Sequence, residues 1–453
     1  MRARPVSFAC TALAVACTLP LSAAAPASPG ASLVARQPAW TTYGGDPARL
    51  GLQPISPPLL PLRARWRSPH LDGAIYGEPL IFAGQVFVAT ERDVVYSLDA
   101  SDGRILWQHD LGTPVPAGAL PCGDIAPSLG VTSTMVIDAR LRRLFVSAAT
   151  LQGGTVRHVL AAFTLEGHRL FQRDLDRPGW DAAAQLQRAG LSLDDGRVLV
   201  GFGGNYGDCG RYRGYLLGVP ETGRGPILSF AVPTRREGGI WAPGGVAVDP
   251  AGHVYVATGN GSSTTRFDGG DAVFELSSTL RPLSWFAPRD FAVDNASDAD
   301  LGSTSPVLVG PDRVFIVGKE ARAYLLDRQH LGGIGGALDA LDVCFAIGSS
   351  AVLGRRVYVP CPGGSLSAVT VGARSLALAW RSRVEGAGSP TIAGGVVWTL
   401  TGSRLVGLSP RSGRVVASVP TIATERLAAP SAGEGLLVVA GFGRVEAFGP
   451  PRA

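Results

Sequence analysis

Apolar residues recur along this chain in short runs broken by turn residues, not in long helical stripes. The clearest stretch, Glu78–Asp110, reads EPLIFAGQVFVATERDVVYSLDASDGRILWQHD. It holds four runs, Leu80–Ala83, Gln85–Thr90, Val94–Asp99 and Ile105–His109, separated by Ala83-Gly84, Glu91-Arg92-Asp93 and Ser101-Asp102-Gly103. β-Branched and aromatic residues dominate the runs, and Asp-Gly marks a hairpin, so the stretch predicts four antiparallel strands. One such meander cannot bury both its faces and needs copies of itself. Near Gly388 the pattern returns as GSPTIAGGVVWTLTGSRLVGLSPRSGRVVASVP. A four-stranded unit at a period of roughly 40–50 residues is the mark of a β-propeller blade.

Further copies start near Asp124, Gln187, Gly239, Asp300, Val343, Gly386 and Arg426. The unit from Arg426 holds only three strands. A lone strand, Leu60–Arg67 (LPLRARWR), stands at the other end with no partner nearby in sequence. The expectation is an all-β fold: an eight-bladed propeller of four-stranded antiparallel blades, closed into a ring by the N-terminal strand. Closure removes the exposed sheet edges. The propeller domain is expected over residues 60–450, preceded by a linker and extended leader at 28–59 that includes WTTYGGDPARLG. Asp181–Ala189 is the best helix signal, and it is short.

Composition narrows the function classes. The chain is 46% hydrophobic and 17% charged, as in globular proteins. Its net charge is +5, but the basic residues, all arginine except Lys319, are scattered through turns without a dense run. No nucleic-acid partner is expected. Residues 1–27 have a basic start, an apolar run and small residues ending in Ala25-Pro26-Ala27, which predicts a cleaved secretory signal and a secreted protein. Cys17 sits in a poor lipoprotein box, so lipid anchoring is the lesser reading. No other segment is long and apolar enough for a transmembrane helix. Four cysteines follow the signal: Cys122, Cys209, Cys344 and Cys361. An oxidising compartment implies two disulfides, with three possible connectivities. Strand alignment favours Cys344–Cys361 across one hairpin, leaving Cys122–Cys209.

In a propeller the innermost strands all start at one face and ring one mouth of the channel. The alignment puts Tyr76, Asp124, Arg188, Trp241, Asp300, Cys344, Glu385 and Arg426 there, with Glu91, Asn205, Asn260, Lys319 and Cys361 at the ends of the second strands. A rim with a Trp, carboxylates, amides and a lysine suits a small polar ligand stacked on an aromatic. Any ring of loop ends is also polar simply because it is wet. The six histidines are dispersed, and no HExxH, GxSxG, P-loop or CxxC occurs.

The repeat VYSLDASDGRILW and the leader WTTYGGDPARLG resemble those of pyrroloquinoline-quinone (PQQ) propellers, over the chain from about Trp40 onward. GGIWAPGGVAVDPAGHVYVATGNG resembles the dehydrogenase segment in which a Trp stacks on the quinone and an Asn binds calcium. The resemblance implies stacking by Trp241 and metal ligation by Asn260. ASDADLG matches the segment of the catalytic base, implying that role for Asp300, also a metal ligand. VGKEARAYLLDR matches the segment of the basic residue that contacts the quinone, implying Lys319. The departures point the other way. Those enzymes carry adjacent cysteines over the quinone, whereas Cys122 is followed by Gly123. The arginine that grips the cofactor carboxylates has no counterpart after it. Asn205 or Asp208 stands where a calcium-binding glutamate is expected, and calcium prefers carboxylates. The favoured reading is an exported binding or interaction module without catalytic PQQ or calcium. Its partner would be a small planar anionic ligand or a protein at the mouth. The alternatives are a divergent PQQ- and calcium-dependent alcohol-type dehydrogenase and a scaffold for envelope assembly, the latter through resemblance to the outer-membrane assembly propeller.

Overall fold

The computed structural model describes Met1, residues 39–425 and residues 427–451. The signal segment with Cys17, the linker up to residue 38 and the rim residue Arg426 lie outside the described residues. Eight sheets form the blades, each with a path of at least four strands. The innermost strand of each blade is short: Leu80–Phe82, Val136–Asp138, Ser192–Asp194, Ala247–Val248, Val307–Val309, Ala351–Leu353, Thr391–Ala393 and Ser431–Gly433. The last blade is completed by Arg63–Arg67, which pairs antiparallel with Arg444–Gly449. Ring closure by the N-terminal strand is thus as expected. Neighbouring blades share apolar clusters. Leu80 and Phe87 of the first pack with Leu144, Val146 and Phe163 of the second. Burial between blades, rather than within one, is what makes a single meander insufficient.

Two local expectations change. Asp181–Ala189 is not a helix. Ala184 and Gln185 donate to Asp181 O in a single turn, and Gln185–Leu186 then pairs with Gly203–Gly204 of the third blade. A free strand edge captures this segment before a second turn forms. Among the described residues the α-helix is Phe291–Ser297, between blades four and five. The second blade has its innermost strand at Val136, later than the Asp124 start expected. The intervening residues form a small hairpin, Val115–Pro116 with Ser128–Leu129.

The leader is not merely extended. It visits every blade in turn from inside the channel. Trp40 exchanges backbone hydrogen bonds with Ile81, and Thr41 O accepts from Ile137 N–H. Thr42 Oγ1 donates to Leu191 O. Pro47, Ala48 and Leu50 carbonyls accept from Val248, Leu308 and Val352, while Gly51 and Gln53 bracket Ile392. Gln53 Nε2 reaches Ala432 O at 2.9 Å. All contacts fall on the innermost strands, so residues 40–53 plug the channel end opposite the mouth.

Candidate functional site

Blades four and five bring the site together. Trp241 precedes the innermost strand of blade four and stays half-buried. Its position depends on two glycines. A Cβ on Gly203 would lie 3.1 Å from Trp241 Cβ, and one on Gly259 would lie 2.3 Å from Asp300 Oδ1 and 3.1 Å from Trp241 Nε1. Lys319 follows the second strand of blade five and holds its ammonium 5.5 Å from the Trp241 ring centroid. Lys319 Nζ pairs with Asp300 Oδ2 at 2.6 Å and with Asp298 Oδ1 at 2.8 Å. Asp300 Oδ1 accepts from Asn260 N–H at 2.8 Å, and Asn260 Nδ2 donates to Asp298 Oδ1 at 2.9 Å. Trp241, Asn260, Asp300 and Lys319 therefore form one cluster. Asp298, which sequence reasoning missed, is part of it. Its left-handed backbone (φ 56°) at the end of the helix turns its carboxylate back onto the lysine.

The charges are mutually tuned. Burial pushes the Asp300 carboxyl up, and the Lys319 ammonium and the Asn260 N–H pull it back without cancelling the rise. Burial also opposes ionisation of Asp298, but the hydrogen bond and charge of Lys319 outweigh it and hold the carboxyl low. Burial works against the Lys319 ammonium as well. Its two carboxylates win and raise its pKa, so it stays protonated.

Asn205 and Asp208 make their hydrogen bonds outside this cluster. Asn205 Nδ2 donates to Ala183 O at 2.8 Å, and Asp208 accepts the Tyr212 hydroxyl. Both sit in the loop tied down by the Cys122–Cys209 disulfide. Among the described residues no three His, Cys, Asp or Glu side chains are arranged to hold a metal ion. Asn260 Oδ1 is a buried acceptor without a hydrogen-bond partner. The carboxylate oxygens that calcium would need are already engaged by an ammonium and an N–H. The donor set does not fit calcium.

The second disulfide, Cys344–Cys361, closes 17 residues of separation. Cys361 follows the second strand of blade six, but Cys344 lies on the connection arriving from blade five rather than at the start of the innermost strand. Glu385 is exposed.

The other half of the mouth is built by blades one, two, three and eight. Arg188 holds its guanidinium 6.0 Å from the Tyr76 ring centroid. Glu91 Oε2 accepts from Gly130 N–H at 2.7 Å, and burial pushes its carboxyl up to about 7. Asp124 reaches this group by way of the hairpin insert, since its charge acts on both Tyr76 and Arg188. A groove of about 850 Å³ lies at the plugged end, beside Asp46, Asp138, Asp194 and Asp249, and takes no part in the mouth.

The family model described as outer membrane protein assembly factor BamB (PQQ_2) matches residues 63–209. A polyvinylalcohol dehydrogenase from a Pseudomonas species is 23% identical over 316 residues, covering 62% of this chain and 45% of that protein. The matched region is thus under half the length of this curated relative. Quinohemoprotein alcohol dehydrogenases from Comamonas testosteroni and Pseudomonas putida superpose with TM-scores of 0.71 and 0.71 at 16% and 14% identity, covering 92% of this chain and 82% of theirs. BamB from Moraxella catarrhalis superposes at 0.60 with 14% identity, covering 86% of this chain and 99% of its own. The family model covers less than half of the chain, so the likeness to PQQ-like repeat proteins is shown over residues 63–209, and over the whole ring the chain is similar in fold both to the alcohol dehydrogenases and to the assembly-factor propeller.

Proposed function

We propose that this protein is an extracytoplasmic binding propeller whose open mouth holds a small planar anionic molecule and does not oxidise alcohols. The observation that carries the reading is the Trp241–Lys319 pair. A half-buried indole offers a flat apolar face, and the adjoining ammonium offers one fixed positive charge. Asp300 and Asp298 hold that ammonium in place. A planar anion would stack on the indole and share the charge of Lys319. The two disulfides support an oxidising compartment.

Against turnover stands the engagement of Asp300. Its oxygens each hold one partner, the Lys319 ammonium and the Asn260 N–H, so a proton taken by Asp300 would have to be accepted at the expense of an ion pair. Nor does the donor set suit calcium.

The test is titration with PQQ, with and without calcium, followed by melting temperature and by dye-linked oxidation of primary alcohols. Binding is expected with little calcium dependence, without turnover, and it should vanish in Trp241→Ala. Turnover that disappears in Asp300→Ala would establish the dehydrogenase reading instead, which the polyvinylalcohol dehydrogenase match favours. A scaffold role is supported by the family model over residues 63–209 and by the exposed Tyr206, Phe345 and Phe442. It would be favoured by a protein partner whose binding persists in Trp241→Ala.

A further inference from the structure

The helix Phe291–Ser297 connects the two blades that build the site, and a few side chains hold it down. Asn295 Oδ1 accepts from Gly261 N–H at 2.6 Å, and Asn295 Nδ2 donates to Ser263 O at 2.7 Å. Phe291 meets the Phe267 ring edge-on at 5.5 Å. At the C-terminal end Asp298 reaches Lys319 and Asn260.

The buried side of the helix carries a group of another kind. Asp294 is 6% exposed, and its Oδ2 is buried without a hydrogen-bond partner. Its charge acts on Glu320 and Tyr324 of blade five. Glu320 Oε2 accepts the Tyr324 hydroxyl at 3.1 Å, and Glu320 Oε1 is again buried and unpartnered. Asp271 of blade four is fully buried and feels Asp300, Asp294 and Glu320. Its Oδ1 accepts from Leu301 N–H at 3.0 Å, and its Oδ2 has no partner. Asp290, at the start of the helix, adds negative charge to Asp294 and Glu320. The cations nearby are committed elsewhere. Lys319 holds Asp298 at 2.8 Å and Asp300 at 2.6 Å. Arg322 draws Glu320 down, yet it is exposed and lies 3.8 Å from Asp342.

Buried carboxyls that act on one another, with no cation between them, are tolerated only while they are neutral. Burial, with Asp290 adding to it, raises Asp294 from 3.8 to about 6. Burial and the charge of Asp294 raise Glu320 from 4.5 to about 8, against the pull of Tyr324 and Arg322. A helix lifted into water would return both to their ordinary values, so the docked helix binds protons that the lifted one releases. Docking is favoured most below pH 3.8 and weakens as pH rises through 6 and then 8.

We propose that this helix is a pH-sensitive clasp on the mouth: with Asp294 and Glu320 neutral it lies on blade five and holds Asp298 against Lys319, and with them ionised it lifts and Lys319 loses that partner. Lys319 keeps Asp300 throughout, so the ammonium passes from two carboxylates to one. More of its charge is then open to an anion. The clasp acts on Lys319 whatever the mouth binds.

Hydrogen–deuterium exchange of the full chain at about pH 5.5 and about pH 8.5, corrected for the intrinsic pH dependence of exchange, reads the clasp. Protection over residues 291–298 should fall about tenfold or more between the two, while the strand Arg313–Val317 keeps its protection. Glu320→Gln and Asp294→Asn cannot ionise, and together they should remove most of the fall. A second readout uses Lys319, the only lysine of the chain. At about pH 8.5 an amine-acetylating reagent should label it several-fold faster in the wild type than in Glu320→Gln, followed by peptide mass spectrometry. Protection that is equal at both pH values, or that falls as steeply in the double variant, overturns the clasp. Equal labelling of Lys319 in the two proteins overturns it too. So does a fall shared by every blade, which would report loss of the whole fold.

Discussion

The two ends of one channel are built from similar residues to opposite effect. At the plugged end the leader bonds to all eight blades through backbone and side chains, and Arg49 is tied in, while Glu78 keeps one oxygen, Oε1, without a partner. Gly44 N–H donates to Glu78 Oε2 at 2.8 Å, and the Arg49 fork is full. At the mouth Arg188 keeps an unpartnered nitrogen, and Lys319 lies over an indole that is half open. A buried guanidinium with every N–H bonded recovers the hydration it lost, whereas one left short of partners costs the fold stability. The contrast separates what keeps the ring closed from what makes it useful.

Removing the plugged end altogether should have the largest effect. A chain truncated through Arg67 loses both the leader and the strand that completes the last blade, leaving the outer edge of Arg444–Gly449 bare. Aggregation during expression is expected. A soluble monomer with an unchanged melting temperature would show that the ring does not depend on this end.

A matched pair of substitutions then sharpens the contrast. Arg49→Met strands the Tyr43 carbonyl and removes one of two donors from Leu191 O and Val246 O, and should cost about 3 kcal/mol in denaturant unfolding. Arg188→Met removes one long contact and should stay within about 1 kcal/mol. Equal losses would erase the distinction between the two arginines.

The mouth relies on a covalent staple where the plug relies on packing. Cys344→Ser with Cys361→Ser opens a loop of 17 residues' separation and should cost about 3 kcal/mol on the chain-entropy model. A loss below about 1 kcal/mol would mean that the blade five to six connection is held by its other contacts.

The smallest expected effect is one of pH, at the plug. Burial raises the Glu78 carboxyl from 4.5 to about 8, against the pull of the Gly44 N–H, the Trp40 indole and Arg49. Between those values the folded state holds a proton that the unfolded chain has released. Stability from this group is therefore complete below pH 4.5 and fades as pH rises toward 8. Glu78→Gln should flatten the fall in melting temperature between about pH 5 and 8 by a few degrees. An unchanged slope would place the pH dependence elsewhere.

The repeat was readable because each blade is local: four short apolar runs and their turns lie next to one another in the chain. Closure by Arg63–Arg67 was also readable, from a three-stranded unit at one end and a lone strand at the other. The Trp241–Asn260–Asp300–Lys319 cluster could be anticipated because equivalent positions of neighbouring blades share one rim. Asp298 was not, since its approach depends on a left-handed backbone at a helix end that the composition did not announce. Asp124 was placed by spacing alone, yet it reaches the rim through a hairpin insert. The Asp181–Ala189 signal is a real helical tendency that a neighbouring strand edge overrode.

The amino-acid sequence by itself therefore determined the blade, its repetition, the pairing of the ends and the residue types at the rim. These follow from alternating hydrophobicity and turn chemistry, which act over a few residues. Only the tertiary structure decided that the leader is a plug, that Arg49 is saturated and that Arg188 is not. The reason is physical. Whether a buried charge has partners depends on carbonyls, hydroxyls and rings brought in from other blades, at separations such as the 197 residues between Arg49 and Val246, and no local pattern encodes that meeting.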